Sequence, residues 1–306
     1  MSARRCMTGR RCACELGTPG GCSPVATVHA TRDATAAGIA GLLDGLPISA
    51  TVRTAALKLN LCDYRSPSSG AVTTPAFVAN VVATLRSRCP ALQRIVLVEA
   101  DSSGTRAADL YPVLGFVALA DALGLELFDP AAARWRKVAS VGSLPIDVPE
   151  LLYEVDLYVN LPKMKPHGKT GFTGALKNNF GLLKRRWKLP YHSRLCETIV
   201  ASNRYLPRQL VVMDGTTTVS GRGPAYGVPA EVGVVLASWD PVAVDAAGAR
   251  LLGVPLWLAG HIRVAARTGL GSLSCDLRWS EGSSRDVVRP RIDWLRFAAA
   301  NVVGRA

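Results

Sequence analysis

The sequence predicts an α/β fold: a largely parallel or mixed sheet flanked by helices, with polar residues gathered at the strand carboxyl ends. Two observations predict it. From Pro24 onward, short apolar runs alternate with stretches of helical period, the pattern of strand–helix–strand units. Polar residues recur just past the last apolar residue of a run: Asn60 and Asp63, Glu99 and Asp101, Asn160 and Lys163, Asp214, and Asp240. In open parallel sheets ligands bind beyond those ends, so such residues describe one shared cleft.

The elements follow in order. Ala55–Leu59 is a short apolar strand that ends in Asn60-Leu61-Cys62-Asp63-Tyr64-Arg65. Residues 75–88 form a helix: Pro75 suits its first turn, Thr74 can cap it, and Phe77, Val78, Val81, Val82 and Leu85 make one apolar stripe. Arg94–Val98 is a strand that runs into Glu99-Ala100-Asp101. A helical region around Tyr111–Leu123 leads to a strand at Leu125–Phe128. Asp156–Asn160 and Leu210–Met213 are further strands, and Thr173–Leu183 and Ser193–Tyr205 are helices. Val232–Ala237 is a strand, followed by a helix over 240–252 with Asp240 as its cap and Pro241 in its first turn.

Three regions are expected: a Cys/Arg-rich tail over 1–24, one α/β domain over 25–272, and an extension over 273–306 that ends in an amphipathic helix near Trp294. With 306 residues, 49% of them hydrophobic and 19% charged, the chain can bury a large core and is not mainly disordered. The apolar stretch 242–262 is interrupted by Asp245, Arg250 and Pro255, so no membrane-spanning helix is expected. The Arg-rich N-terminus has no apolar core of a secretory signal, and a cytoplasmic location is expected. Cys6, Cys12, Cys14 and Cys22 are spaced C-x5-C-x-C-x7-C. That spacing matches neither a common zinc knuckle nor a ferredoxin run, so the tail reads as disordered, with a metal site as the alternative.

The net charge is +13, and +8 of it lies between Lys163 and Lys188, a stretch with no Asp or Glu. Uncompensated charge of this density points to an anionic partner. Lys163, Lys165 and Lys169, with His167, follow an apolar strand. Gly171 and Gly174 allow close backbone approach, and Thr173 can cap the next helix. Lys177 falls four residues later on the same face, beside Asn178. Lysine suits phosphate or carboxylate as a compact charge.

Asp214, with Asp63 and Asp101, supplies the oxygens that magnesium or another divalent cation takes. Asp214, His192 and His167 are the candidate acid–base groups. Asn60 adds an uncharged polar group at the first strand end. No G-x-S-x-G elbow, H-E-x-x-H helix or G-x-G-x-x-G turn occurs. The loop Gly221-Arg222-Gly223-Pro224 reads equally as a closing flap or a plain turn.

Seven segments carry a family resemblance: K-L-N-L-C-D-Y-R at 58, G-A-V-T-T-P at 70, V-E-A-D-S-S-G-T at 98, V-N-L-P-K-M-K-P-H at 159, T-G-A-L-K-N-N-F-G at 173, V-M-D-G at 212 and D-P-V-A-V-D at 240. In order and wording they resemble the domain of unknown function 362 family over roughly residues 27–271. Pro166-His167 is a mild departure from the family pattern. The resemblance implies an α/β fold and a site but no reaction. Some members of that family are fused to iron–sulfur modules. This chain lacks the C-x2-C-x2-C run, so an iron–sulfur cluster is not favoured here.

The reading expected from these residues is an enzyme that binds an anionic, phosphorylated or carboxylated, metabolite, with or without a divalent metal. An accessory redox protein is one alternative. Nucleic-acid binding through Lys184-Arg185-Arg186-Trp187-Lys188 is a second and less favoured one. The oligomeric state is open.

Overall fold

Alternating side chains on short strands divide this chain's apolar residues between two layers, one on each face of a central sheet. The computed structural model describes residues 25–220 and 227–280. Cys6, Cys12, Cys14 and Cys22, the Gly221-Arg222-Gly223-Pro224 loop and the helix expected near Trp294 lie outside the described residues.

The first half runs β1 (Ala26–Thr31), α1 (Ala36–Leu43), β2 (Thr54–Lys58), α2 (Pro75–Arg88), β3 (Arg94–Val98), α3 (Ala107–Val113), α4 (Phe116–Leu123) and β4 (Glu126–Leu127). The hairpin β5 (Trp135–Val141) and β6 (Leu144–Pro149) stands apart as its own two-stranded sheet. The second half continues with β7 (Leu157–Asn160), β8 (Lys165–His167), β9 (Gly171–Thr173), α5 (Ala175–Phe180) and α6 (Leu195–Arg204). It then runs through β10 (Gln209–Val219), β11 (Pro229–Ser238), α7 (Pro241–Leu251), α8 (Gly260–Arg267) and β12 (Cys275–Trp279).

The local signals act where they were expected. Thr74 Oγ1 accepts from the Phe77 amide at 3.1 Å, and Pro75 opens α2. Asp240 Oδ1 accepts from the Ala243 amide at 2.9 Å to start α7. The helix expected around 111–123 is broken, because Gly115 at φ +82° ends one turn and begins the next. The helix expected from Thr173 begins at Ala175, because Gly171–Thr173 pairs with β8 instead. The strand expected at 210–213 extends to Val219, and the sheet continues past residue 272 through β12.

The large sheet has the order β12-β1-β11-β10-β7-β2-β3-β4. Only β11 runs against its neighbours; the other pairings are parallel. In β10, Leu210 and Val212 face one apolar layer, and Val211 and Met213 face the other, the period-2 alternation of a strand buried on both sides. Helices α1 to α4 cover the first layer, and α5 to α8 cover the second.

From β2 the chain winds outward to β3 and β4, and from β7 it winds the other way to β10. Because β2 and β7 are neighbours, their carboxyl ends flank the point where the winding reverses and a crevice opens.

Beyond β7 the chain does not continue as a regular strand. Pro162 O accepts from the Asp214 amide, and the Met164 amide donates to Asp214 O, each at 2.9 Å. This bridge sets Lys163 beside Asp214, with Nζ to Oδ2 at 2.6 Å and neither side chain exposed. Lys163 and Lys165 therefore part company: Lys163 is held in a buried pair, and Lys165 turns to Ala71 O. Deleting one member of such a pair strands the other charge. Lys163→Ala is expected to lower stability by about 3–5 kcal/mol, read from urea unfolding; an unchanged midpoint would contradict the pairing.

Helix α5 is capped from a distance. Thr173 was expected to cap it, but the carboxylate of Asp245 in α7 accepts from the Ala175 amide at 2.5 Å and from the Leu176 amide at 3.0 Å. Gly174 makes room for it, since a Cβ there would lie 2.1 Å from Asp245 Oδ1. Burial pushes the Asp245 carboxyl up to about 7, against the pull of the two amide donors. Asp245→Ala should cost about 2–3 kcal/mol, the scale of charge-assisted hydrogen bonds. Thermal unfolding of Asp245→Ala beside Asp245→Asn, which keeps one acceptor, measures it.

Candidate functional site

The crevice at the β2–β7 boundary holds a cleft of about 280 Å³. Its walls come from the segments that follow β2 (Asn60, Leu61, Cys62) and β3 (Glu99, Ala100 and Ser102 to Gly104), from the β8–β9 hairpin, and from α5 and the loop after it. Four lysines line it, Lys58, Lys165, Lys177 and Lys188, against one carboxylate, Glu99.

Three of the four amines are held. Lys58 Nζ donates to Glu99 Oε1 at 2.7 Å, with both side chains nearly fully buried. The second oxygen of Glu99 accepts from the Leu61 amide at 2.8 Å. Burial lowers the Lys58 pKa, and Glu99 pulls it back up. Lys165 Nζ donates to Ala71 O and lies 3.3 Å from Cys62 Sγ. Lys188 Nζ donates to Asp101 O at 2.8 Å and to Gly181 O at 2.7 Å; burial drives it down to about 7.

Lys177 differs from the other three. It makes no hydrogen bond or ion pair among the described residues, and its one ring contact is Phe180, at 5.9 Å. Burial, then the charge of Lys165, pushes Lys177 down to about 8.

The floor is a chain of carboxamides. Asn60 Nδ2 donates to Asn178 Oδ1 at 3.0 Å, and Asn178 Nδ2 donates to Asn160 Oδ1 at 2.8 Å. Asn160 Nδ2 donates to Asn179 Oδ1 and Gln209 Oε1 at 3.2 and 2.7 Å, and Asn179 Nδ2 passes on to Asn203 Oδ1 at 2.7 Å. Asn60 Oδ1 and Thr173 Oγ1, on two of the lining residues, are buried and have no hydrogen-bond partner among the described residues. Buried polar atoms are nearly always paired, so each is an open valence beside the cleft.

Among the expected site residues, Asn60, Lys165, Thr173, Lys177, Asn178 and His192 come together here. The other expected residues are placed outside the lining. Lys169 is exposed at the rim, its Nζ 3.3 Å from His192 Nδ1. His167 Nδ1 accepts from the Lys169 and Thr170 amides, closing the β8–β9 turn; burial holds its pKa well below the usual value. Asp101 Oδ1 accepts from the Ala107 amide at 2.9 Å. Asp63 pairs with Arg65 at 2.9 Å, and Asp214 with Lys163. The three carboxylates therefore do not converge. Among the described residues no group of three or more His, Cys, Asp or Glu is placed to hold a metal ion.

Lys58, Glu99 and Lys188 are site residues that the motif reading did not single out as ligand-binding. Lys58 had a signal, a lysine inside an otherwise apolar strand. Lys188 carried only the general signal of the acid-free basic stretch, since the contacts that bring it into the cleft are to backbone carbonyls. His192 is half-buried; burial, then Lys169 and Lys177, lower its pKa and favour its neutral form.

A thylakoid-associated protein of Synechocystis sp. is 25% identical over 240 residues, 76% of this chain and 73% of that protein. Two solved structures are similar at low identity. The lactate racemase apoprotein from Thermoanaerobacterium thermosaccharolyticum matches with a TM-score of 0.46 and 12% identity, over 74% of this chain and 57% of that one. A protein from Thermotoga maritima matches with a TM-score of 0.39 and 14% identity, over 76% of this chain and 58% of that one. Among the described residues no helix is long and apolar enough to cross a membrane. Residues 55–250, which hold every wall of the cleft, match the model described as domain of unknown function (DUF362), and the chain belongs to that family.

Proposed function

We propose that this protein is an enzyme that binds a small anionic metabolite, carboxylated or phosphorylated, in the cleft between the β2, β3 and α5 segments. One observation carries the reading: four lysines line the cleft and one carboxylate answers them. Glu99 satisfies Lys58, so the charge on Lys165, Lys177 and Lys188 is left for a ligand. The volume, about 280 Å³, suits a small metabolite better than a dinucleotide. Amines with lowered pKa next to a neutral imidazole, all facing one cleft, are the arrangement found at reactive sites.

The divalent metal expected from the sequence has no support in the carboxylate geometry, and the reading does not use one. Nucleic-acid binding keeps one observation in its favour: Lys184, Arg185, Arg186 and Trp187 are all exposed, Trp187 by 54%. A basic face with an exposed aromatic suits single strands. Retention of a mixed oligonucleotide that weakens steeply with salt would support it, and salt-independent or absent retention would remove it.

The direct test is thermal stabilisation by a panel of small carboxylates and phosphates. Lys177→Gln is expected to weaken the best ligand about tenfold, equal to about 1.4 kcal/mol, without lowering the stability of the free protein, because Lys177 makes no hydrogen bond or ion pair among the described residues. Equal affinity in wild type and variant would count against the reading.

The pH dependence has two opposite signs. Lys177 and Lys188 titrate near 8 and 7 in the folded chain, against about 10.4 when unfolded. Between those values the unfolded chain binds more protons, so the stability of the free protein should rise from about pH 7.5 to pH 9. Anion affinity should fall over the same interval as the amines lose charge. Paired denaturation and titration series check both slopes.

A further inference from the structure

Among the described residues, nothing holds one amine of the cleft, Lys177. Lys58, Lys165 and Lys188 are each fixed by hydrogen bonds to carboxylate or carbonyl oxygens, and such a lysine cannot leave its partner without stranding it. Lys177 has no such partner. It lies on the short helix α5, between Asn178 and the Thr173 that precedes the helix. Lys165, a like charge, is close enough to disfavour its ammonium form. Thr173, four residues before Lys177, brings the buried and unpartnered Oγ1 to the same cleft, and Asn60 brings the unpartnered Oδ1. A half-buried, unbonded amine among cations is the setting in which lysine acts as a nucleophile rather than as a charge.

We propose that Lys177 captures the carbonyl carbon of a small oxo carboxylate as a Schiff base, with the carboxylate held by Lys165 and Lys188. The inference rests on the anion-binding reading above and names its substrate class. The neutral Nζ attacks the carbonyl carbon, and the π pair moves to oxygen, which takes a proton from the nitrogen. The resulting carbinolamine takes one further proton from solvent and loses water, leaving a C=N bond in its iminium form.

Thr173 Oγ1 is a free hydroxyl for the oxygen that leaves. His192, neutral and lining the same cleft, can relay the proton. Lys165 and Lys188 supply charge to answer the carboxylate, and the fraction of Lys177 that burial and Lys165 leave neutral supplies the nucleophile. The iminium then serves as an electron sink for cleaving a bond at the adjacent carbon.

The experiment is reductive trapping. The full-length protein is incubated with pyruvate or acetoacetate and cyanoborohydride, then digested and mapped by mass spectrometry. Lactate and 3-hydroxybutyrate, which lack the carbonyl, are assayed in parallel by thermal shift. The expected result is one stoichiometric adduct, at Lys177, at least tenfold above any surface lysine such as Lys184. It should be absent in Lys177→Arg, weakened in Lys165→Gln, and form faster as pH rises from about 7 to 8.5, opposite to simple anion binding. Hydroxy acids that bind while no oxo acid labels Lys177 would overturn the Schiff base and leave the anion reading standing. Failure of both to bind would overturn the two together. Labelling spread evenly over surface lysines, or retained in Lys177→Arg, would also reject it.

Discussion

The buried carboxamide chain from Asn60 through Asn178, Asn160 and Asn179 to Asn203 and Gln209 is the constraint on which the cleft depends. It ties the ends of β2 and β7 to β10, α5 and α6 with side chains alone. Tyr158 OH adds a donor to Asn179 Oδ1 at 2.6 Å. Each amide would be costly to bury by itself, and each is affordable only when its neighbour is in place. The network therefore admits one register of α5 over the sheet. That register sets which face of α5 meets the cleft: Lys177 and Asn178 look toward it, while Asn179 looks into the sheet. Lys58 joins the same system through Asn178 Oδ1 at 3.4 Å.

The density of positive charge in the region is handled by dispersal rather than by a single counter-ion. Lys163 is matched by Asp214 and Lys58 by Glu99, while Lys188 and Lys165 lean on backbone carbonyls. Lys184, Arg185 and Arg186 turn to solvent. Carbonyl dipoles soften a buried ammonium without neutralising it, so a residual field remains in the crevice. The cleft is thus electropositive, and Lys177 is the lining amine without a hydrogen bond or ion pair among the described residues.

Much of the frame was legible in the sequence because its signals are local. Pro75 and Thr74 announce α2, Asp240 and Pro241 announce α7, and Arg94–Val98 stands out as a strand by its apolar run. The cleft itself was legible as a place, since polar residues at successive strand ends can meet only there. The role of each lysine was not. Lys163 and Lys165 differ by two positions, yet one is sealed against Asp214 and the other opens on the cleft, because residues 162–164 bridge to a strand some fifty positions away. Asp245 looked like an interior helix residue; its work lies across the layer at the start of α5. Nothing in the neighbouring residues encodes such long-range matches. The first strand and its partner β12 were missed for a related reason: each is short, polar at alternate positions, and meaningful only when paired.

That pairing also bears on the order of assembly. β1 is the first strand of the described chain to leave the ribosome, yet it lies between β11 and β12, matched at His29 to Ala237 and at Val28 to Leu277. Its hydrogen-bond partners do not exist until almost all of the described chain has been made. Until then β1 is an unpaired edge attached to a sheet that can already be nucleating around β2 and β3, whose contacts are closer in sequence. Such long-range closure is slow and exposes an edge to other chains. The central strands can gather the cleft early, whereas the flank that seals the sheet is the part whose folding synthesis itself must delay.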